Sequence, residues 1–146
     1  QKQANRKLEQ YGARWIENQK QEAYEIQGTK KNSEDVIQEC LRYIHNHLED
    51  TELSVNQLAD QCHMNAIYLN RIFRKEKETS IGQYIIQERM HLAARLLLDS
   101  GLTAHTVAEK VGYLNYPYFS TAFKKFYGCS PQKYVERQED SHENKD

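Results

Sequence analysis

Two stretches of the chain decide its fold: residues 65–84 read NAIYLNRIFRKEKETSIGQY, and residues 115–134 read NYPYFSTAFKKFYGCSPQKY. At an offset of 50, the pairs that match are Asn65 and Asn115, Tyr68 and Tyr118, Phe73 and Phe123, Lys75 and Lys125, Ser80 and Ser130, and Tyr84 and Tyr134. Further upstream, Ala59 matches Ala108 at an offset of 49, so one residue is inserted in between. Agreement at aromatic, small and basic positions predicts two copies of one supersecondary unit, because a solenoid needs three or more.

Each copy is predicted to fold as a helix, a short turn and a second helix. Apolar residues recur at helical spacing along both segments, and Gly112 falls in the second turn, where glycine tolerates a positive φ. Small residues at positions 59 and 108 allow the paired helices to approach closely. The residues predicted to cap the four helix starts are Ser54, Asn65, Thr103 and Asn115. This pattern is typical of a helix-turn-helix unit.

The whole chain is predicted to be all-α, with seven helices forming a tandem helix-turn-helix domain over residues 32–137. Residues 80–100 read as one connecting helix of about 30 Å, close to the roughly 34 Å between successive major grooves on one face of DNA. Residues 1–31 are predicted to be a helical arm, either a linker from an upstream sensing or dimerising region or part of a coiled coil. Residues 138–146 are predicted to be an acidic, disordered tail.

Charge is unevenly distributed along this chain of 146 residues, whose net charge is −1. Residues 65–79 carry +2 and residues 115–135 carry +3, whereas residues 32–64 carry −6 and residues 136–146 carry −3. Two short basic segments are what a focused footprint on phosphate requires. No apolar run approaches the ~20 residues of a membrane span, and three dispersed cysteines favour a reduced, cytoplasmic compartment.

The exposed face of each second helix carries the candidate DNA contacts. Arg71 can bond guanine bidentately, Asn70 can pair with adenine, and Ile67 can pack on a thymine methyl group. The residues predicted to contact phosphate are Ser54, Arg74, Lys75, Thr103, Lys124 and Lys125. Tyr68 and Tyr118 are expected to pack inward instead.

The stretches Tyr68–Lys75, Val111–Lys125 and Gly128–Tyr134 resemble the AraC family of bacterial transcription regulators, and the resemblance covers about residues 34–137. It implies promoter binding through two helix-turn-helix units on adjacent major grooves of double-stranded DNA. Its implied base-reading positions are Ile67, Asn70 and Arg71, then Tyr116, Pro117, Ser120 and Thr121. The family often has arginine at position 121 and a small polar residue at position 117, so the second unit is expected mainly to hold phosphate.

Two other functions are alternatives to DNA binding. An enzyme is disfavoured because Cys40, Cys62 and Cys129 lack an activating neighbour in the sequence, and His45 and His47 lie two apart, which is wrong for a helical metal site. No cofactor or metal is therefore expected. The second alternative is a protein-interaction module that contacts RNA polymerase or a partner domain through the acidic first helix. A dimer through residues 1–31, or through a missing upstream domain, is a further expectation.

Overall fold

The computed structural model describes residues 32–99 and 101–143. They form seven helices: α1 (Ser33–Asn46), α2 (Val55–Gln61), α3 (Ala66–Lys77), α4 (Ile81–Asp99), α5 (Ala104–Lys110), α6 (Tyr116–Tyr127) and α7 (Pro131–Glu143). No strand occurs in these ranges, so the predicted all-α class is confirmed. The predicted arm over residues 1–31 lies outside the described residues.

The helices divide between two compact units. Within the described ranges, the first unit contains residues 32–44 and 54–82, and the second contains residues 45–53, 83–99 and 101–143. Helices α2 and α3 pack together in the first unit, and α6 packs against both α5 and α7 in the second. Each unit therefore holds one helix-turn-helix pair, as the sequence repeat predicts.

The core of the first unit follows the apolar periodicity of its helices. Val36, Ile37, Cys40 and Ile44 are buried along one face of α1. The other buried positions are Leu58 and Ala59 on α2 and Tyr68, Leu69, Ile72 and Phe73 on α3. Phe73 is completely inaccessible to solvent, and burial of such a side chain contributes about 1.5–3 kcal/mol. Packing of this kind fixes which face of α3 remains outside.

Aromatic side chains dominate the core of the second unit. Phe119 and Phe123 are completely buried among Met90, Val107 and Val111, and Phe123 meets Tyr134 edge to face, with ring centroids 5.5 Å apart. The Tyr127 hydroxyl donates a hydrogen bond of 3.1 Å to the carbonyl oxygen of Met90. Phe126 follows Phe119 and Phe123 at helical spacing, which predicts an inward position, but it is 40% exposed. Its place on the inner face is taken by Tyr127, so that expectation was wrong.

A buried arginine fixes the turn of the second helix-turn-helix. The Arg89 guanidinium donates a hydrogen bond of 2.7 Å from Nη2 to the Asp50 carbonyl oxygen and lies 5.8 Å from the centre of the Tyr113 ring. Burial lowers the pKa of Arg89, while Tyr113 and Asp50 act in the opposite direction. Gly112 adopts φ +86° beside this side chain, which confirms the positive φ expected in the turn.

Two helix boundaries in the structure differ from the predicted ones. The connecting helix α4 has 19 residues, which gives it a length of about 28 Å. The last helix α7 extends to Glu143, so the expectation of disorder is wrong for residues 138–143, while residues 144–146 lie outside the described ranges. Polar residues alone did not end this helix, because Glu and Gln have good helix propensity.

None of the helices in the described ranges is both long enough and apolar enough to cross a membrane.

Candidate nucleic-acid interface

The second helix of the first helix-turn-helix pair, α3, begins at a side-chain cap. Asn65 Oδ1 accepts hydrogen bonds from the backbone N–H groups of Ile67 (2.9 Å) and Tyr68 (3.1 Å). These bonds satisfy two of the donors that a helix start leaves without a partner. Since the cap fixes the first turn and the core fixes the inner face, the outward side chains of α3 are held in a defined array.

A basic stripe, which we call the α3 stripe, runs along the outer face of α3 through Ile67, Arg71, Arg74 and Lys75. All four are exposed, Ile67 at 76%. They share one face because Arg71 follows Ile67 by four positions, and Arg74 and Lys75 follow Arg71 by three and four. The Arg71 guanidinium lies 5.1 Å from the centre of the Tyr68 ring, an arrangement that favours a cation over the ring face. Tyr68 itself is buried, as predicted.

Asn70, predicted to read adenine, has a role inside the fold. It is half-buried, and its Oδ1 accepts a hydrogen bond of 2.9 Å from the backbone N–H of Ile81, at the start of α4. Bidentate pairing with adenine needs this oxygen as an acceptor and the amide nitrogen as a donor, both aimed into the groove. Asn70 therefore caps the start of α4, and its reading of adenine stays a prediction.

The second helix of the second helix-turn-helix pair is α6, and it is capped and exposed in the same way as α3. Asn115 Oδ1 caps it by accepting a hydrogen bond of 3.0 Å from the Tyr118 N–H, and Pro117 lies in the first turn, where proline costs no helical hydrogen bond. Pro117, Thr121, Lys124 and Lys125 are exposed. This α6 stripe corresponds position by position to the α3 stripe at the offset of 50.

Three other side chains of α6 differ from expectation in how they are placed. Tyr116 is half-buried and stacks on His105 with ring centroids 4.1 Å apart, and Ser120 is also half-buried. Both were predicted to read bases, and the structure gives them less access than the stripe residues. Tyr118 was expected to pack, yet it is 70% exposed, so that expectation was wrong.

The order of aromatic residues on α6 indicates that Tyr118 is exposed, but comparison of the two copies led to the opposite expectation. Its counterpart Tyr68 is buried, and alignment of the two copies transferred that burial to Tyr118. On α6, however, Phe119, Phe123 and Tyr127 already occupy the inner face and contact one another in succession. A fourth ring had no inward position left, so Tyr118 adds an exposed aromatic surface beside the α6 stripe.

The first helices of both pairs begin at the predicted hydroxyl caps. Ser54 Oγ accepts a hydrogen bond of 3.1 Å from the Gln57 N–H, and Thr103 Oγ1 accepts one of 3.2 Å from the Thr106 N–H. Both capping residues are exposed. Each hydroxyl oxygen accepts a bond from its helix, and the Thr103 hydroxyl also donates one of 3.0 Å to Thr106 Oγ1. A phosphate would therefore be held mainly by the first backbone N–H groups.

The charges favour an anionic ligand over a metal ion. The last turns of α3 and α6 carry Arg74, Lys75 and Lys77, and Lys124 and Lys125, respectively. Within residues 32–99 and 101–143, no group of three or more His, Cys, Asp or Glu side chains is placed to hold a metal. Two helix-turn-helix units that expose a capped second helix with a basic end define the class of tandem helix-turn-helix DNA-binding domains.

Comparison with known proteins identifies the family. A model described as a helix-turn-helix domain matches residues 58–137. The Msm operon regulatory protein of Streptococcus mutans is 30% identical over 109 residues, which are 75% of this chain and 39% of that protein. The C-terminal domain of AraT, a response regulator from Geobacillus stearothermophilus, is 35% identical with a TM-score of 0.69, covering 70% of this chain and 84% of that domain. The chain belongs to the AraC family of transcription regulators.

A third comparison concerns a solved protein–DNA complex. The DNA-binding domain of AdpA, described as a global transcriptional factor in complex with a target DNA, is 26% identical with a TM-score of 0.66. The match covers 69% of this chain and 90% of that domain. The chain spans less than half the length of the curated relatives named, since it covers 34% of the arabinose operon regulatory protein of Escherichia coli.

Proposed function

We propose that this chain binds a specific promoter sequence by placing α3 and α6 in two adjacent major grooves of double-stranded DNA. The observation that carries the proposal is the correspondence of the two exposed stripes, Ile67-Arg71-Arg74-Lys75 and Pro117-Thr121-Lys124-Lys125. An α-helix fits the major groove of B-form DNA, and side chains near its N-terminal end reach the base edges. The related AdpA domain is in complex with a target DNA, which supports DNA as the ligand of this fold.

Within each stripe we assign different tasks to the two ends. In the N-terminal half of α3, Arg71 has the two donors that match O6 and N7 of guanine, and Ile67 has an exposed apolar side chain suited to a thymine methyl group. Arg74 and Lys75 are one turn further on, where a helix leaves the groove floor and approaches the backbone, so they contact phosphate. The N-termini capped by Ser54 and Thr103 add contacts of the same kind.

The second unit makes fewer directed contacts with bases. Pro117 has no N–H donor, and Thr121 has one short hydroxyl where Arg71 has a guanidinium. Thr121 and the exposed ring of Tyr118 offer contact surface, whereas Lys124 and Lys125 supply charge. We therefore propose that α3 sets most of the sequence preference and that α6 contributes mainly affinity, with Tyr116 and Ser120 in supporting positions.

The experiment is selection of binding sites from random duplexes, followed by a footprint on the selected site. Arg71→Ala is expected to cost about 1–3 kcal/mol and to relax preference at one base pair. Lys124→Ala is expected to weaken binding to all sequences alike and to reduce the salt slope by about one unit. Arg42→Ala, which removes an exposed charge from α1 of the first unit, serves as the matched control and should change neither property.

Two results would contradict the proposal. A footprint confined to one major groove would exclude the tandem mode, and unchanged base preference in Arg71→Ala would remove α3 as the source of specificity. Contact with RNA polymerase and dimerisation through residues 1–31 stay predictions. The acids of the first turn of α1, Glu34 and Asp35, are explained by the helix dipole without a partner.

A further inference from the structure

Two cysteines that are distant in sequence meet inside the first unit. Cys40 Sγ on α1 lies 3.8 Å from Cys62 Sγ at the C-terminal end of α2. Cys40 is completely buried, whereas Cys62 is half-buried and therefore reachable from solvent. The third thiol, Cys129, is buried in the second unit. Sequence alone does not indicate this pair, because the two positions are 22 residues apart and form no C-x-x-C motif.

We propose that Cys40 and Cys62 are a disulfide site that closes by exchange with a small disulfide such as oxidised glutathione. A disulfide has an S–S bond of about 2.05 Å, so the two sulfurs have to approach by less than 2 Å. Cys62 is well placed for this movement because it ends α2 and is followed by the turn at His63. A helix terminus adjusts more readily than a helix interior.

The accessibility of the two thiols sets the order of steps. The Cys62 thiolate attacks one sulfur of the small disulfide, which forms a mixed disulfide and releases one small thiolate. The Cys40 thiol then gives its proton to water and attacks Cys62 Sγ, so the bond between Cys62 and the small thiol breaks and a second thiolate leaves. Both protein thiols are oxidised, and one small disulfide is reduced to two thiols.

The hydrogen bond between the two thiols and burial raise the pKa of Cys40. A thiol with a raised pKa reacts slowly with reagents in solution, so Cys40 is suited to the second, intramolecular step. The product ties α1 to the turn of the first helix-turn-helix across a loop of 22 residues. Such a link restricts the unfolded chain and stabilises the folded one.

The test treats the folded full chain with oxidised glutathione and follows it by mass spectrometry and tryptic mapping. We expect the chain to lose the mass of two hydrogen atoms and to yield one peptide that joins Cys40 to Cys62. Cys129→Ser should behave like the parent. Cys40→Ala should stop as a single glutathione adduct on Cys62, and Cys62→Ser should give no link. Far-UV circular dichroism checks that each variant is folded.

A thermal scan provides the second measurement. The oxidised chain should unfold at a temperature higher by on the order of 5 °C than the reduced chain, and dithiothreitol should reverse the change. The proposal is overturned if the parent accumulates only glutathione adducts, if the linked peptide contains Cys129, or if Cys40→Ala takes up no glutathione. An unchanged or lowered unfolding temperature in the linked form would overturn the stabilising role.

Discussion

Replacement of Gly112 by alanine should unfold the second unit at a markedly lower denaturant concentration. The residue has φ +86°, and an added Cβ would meet the Leu48 carbonyl oxygen and lie 2.8 Å from Cζ of Arg89. The left-handed conformation costs an alanine roughly 1–2 kcal/mol, and forcing packed groups apart costs roughly 1–3 kcal/mol more. Arg89 cannot easily retreat, because its Nη2 is hydrogen-bonded to the Asp50 carbonyl oxygen. We expect a total loss of about 2–5 kcal/mol.

Gly128→Ala is the matched control for this substitution. Gly128 has φ +81°, nearly the same backbone conformation, but nothing lies within 4 Å of its added Cβ. The control should lose only the conformational part, about 1–2 kcal/mol. Both variants are measured by urea unfolding followed by far-UV circular dichroism, with equal slopes as the condition for comparing midpoints.

The difference between the two variants isolates the close approach at Gly112. If Gly112→Ala loses no more stability than Gly128→Ala, the packing of Leu48 and Arg89 around this turn contributes nothing. In that case the geometric explanation of why glycine occupies position 112 is wrong. Gly82→Ala should have the opposite effect, because Gly82 lies in helix α4 with open space around it. Its free energy of unfolding should rise by roughly 0.5–1 kcal/mol.

Four further changes test individual features, each in the same unfolding assay. Asn70→Ala should lower the free energy of unfolding by about 1 kcal/mol through loss of the bond to the Ile81 N–H. In the site selection, a loss of preference at one base pair would show that Asn70 also reads adenine, and an unchanged preference would leave it only the capping role. Thr103→Ala should cost about 1 kcal/mol as a lost helix cap, and an unchanged midpoint would mean that water replaces the cap. Burial raises the pKa of Tyr84 to about 12. Because the folded state favours the neutral phenol, the free energy of unfolding should fall as pH rises from 10 through 12. Tyr84→Phe should reduce that fall. Glu78→Gly should raise stability by up to about 1 kcal/mol, because Glu78 adopts φ +62° at the C-cap of α3; a loss would show that the side chain contributes more than the strain costs.

Local rules were sufficient for the fold and for the helix starts. The capping residues Ser54, Asn65, Thr103 and Asn115 all accept the predicted backbone bonds, because a cap and its donor lie within three residues of each other. The seven helices likewise follow from periodicity over neighbouring turns. Information of this range is fully present in the sequence.

Contacts between distant segments were the part that sequence reasoning missed. Local rules do not show that Asn70 bonds to the Ile81 N–H, which is 11 positions away. They likewise do not show that Arg89 reaches the carbonyl oxygen of Asp50, 39 positions away. The pairing of Cys40 with Cys62 has the same origin. In each case the side chain type is compatible with exposure, and only the assembled core determines where it points.

The two copies of the unit adopt the same backbone conformations through different residues. His63 in the first turn has φ +54°, and its counterpart Gly112 has φ +86°; Glu78 after α3 has φ +62°, and its counterpart Gly128 has φ +81°. Non-glycine residues are strained in this region, so the first copy accepts at both positions a strain that the second avoids. The conformation therefore comes from the requirement to pack the paired helices, since it persists where the residue type does not favour it. Of these two glycines, Gly112 is also required by space, because the Leu48 carbonyl oxygen leaves no room for a Cβ, whereas nothing lies within 4 Å of a Cβ at Gly128.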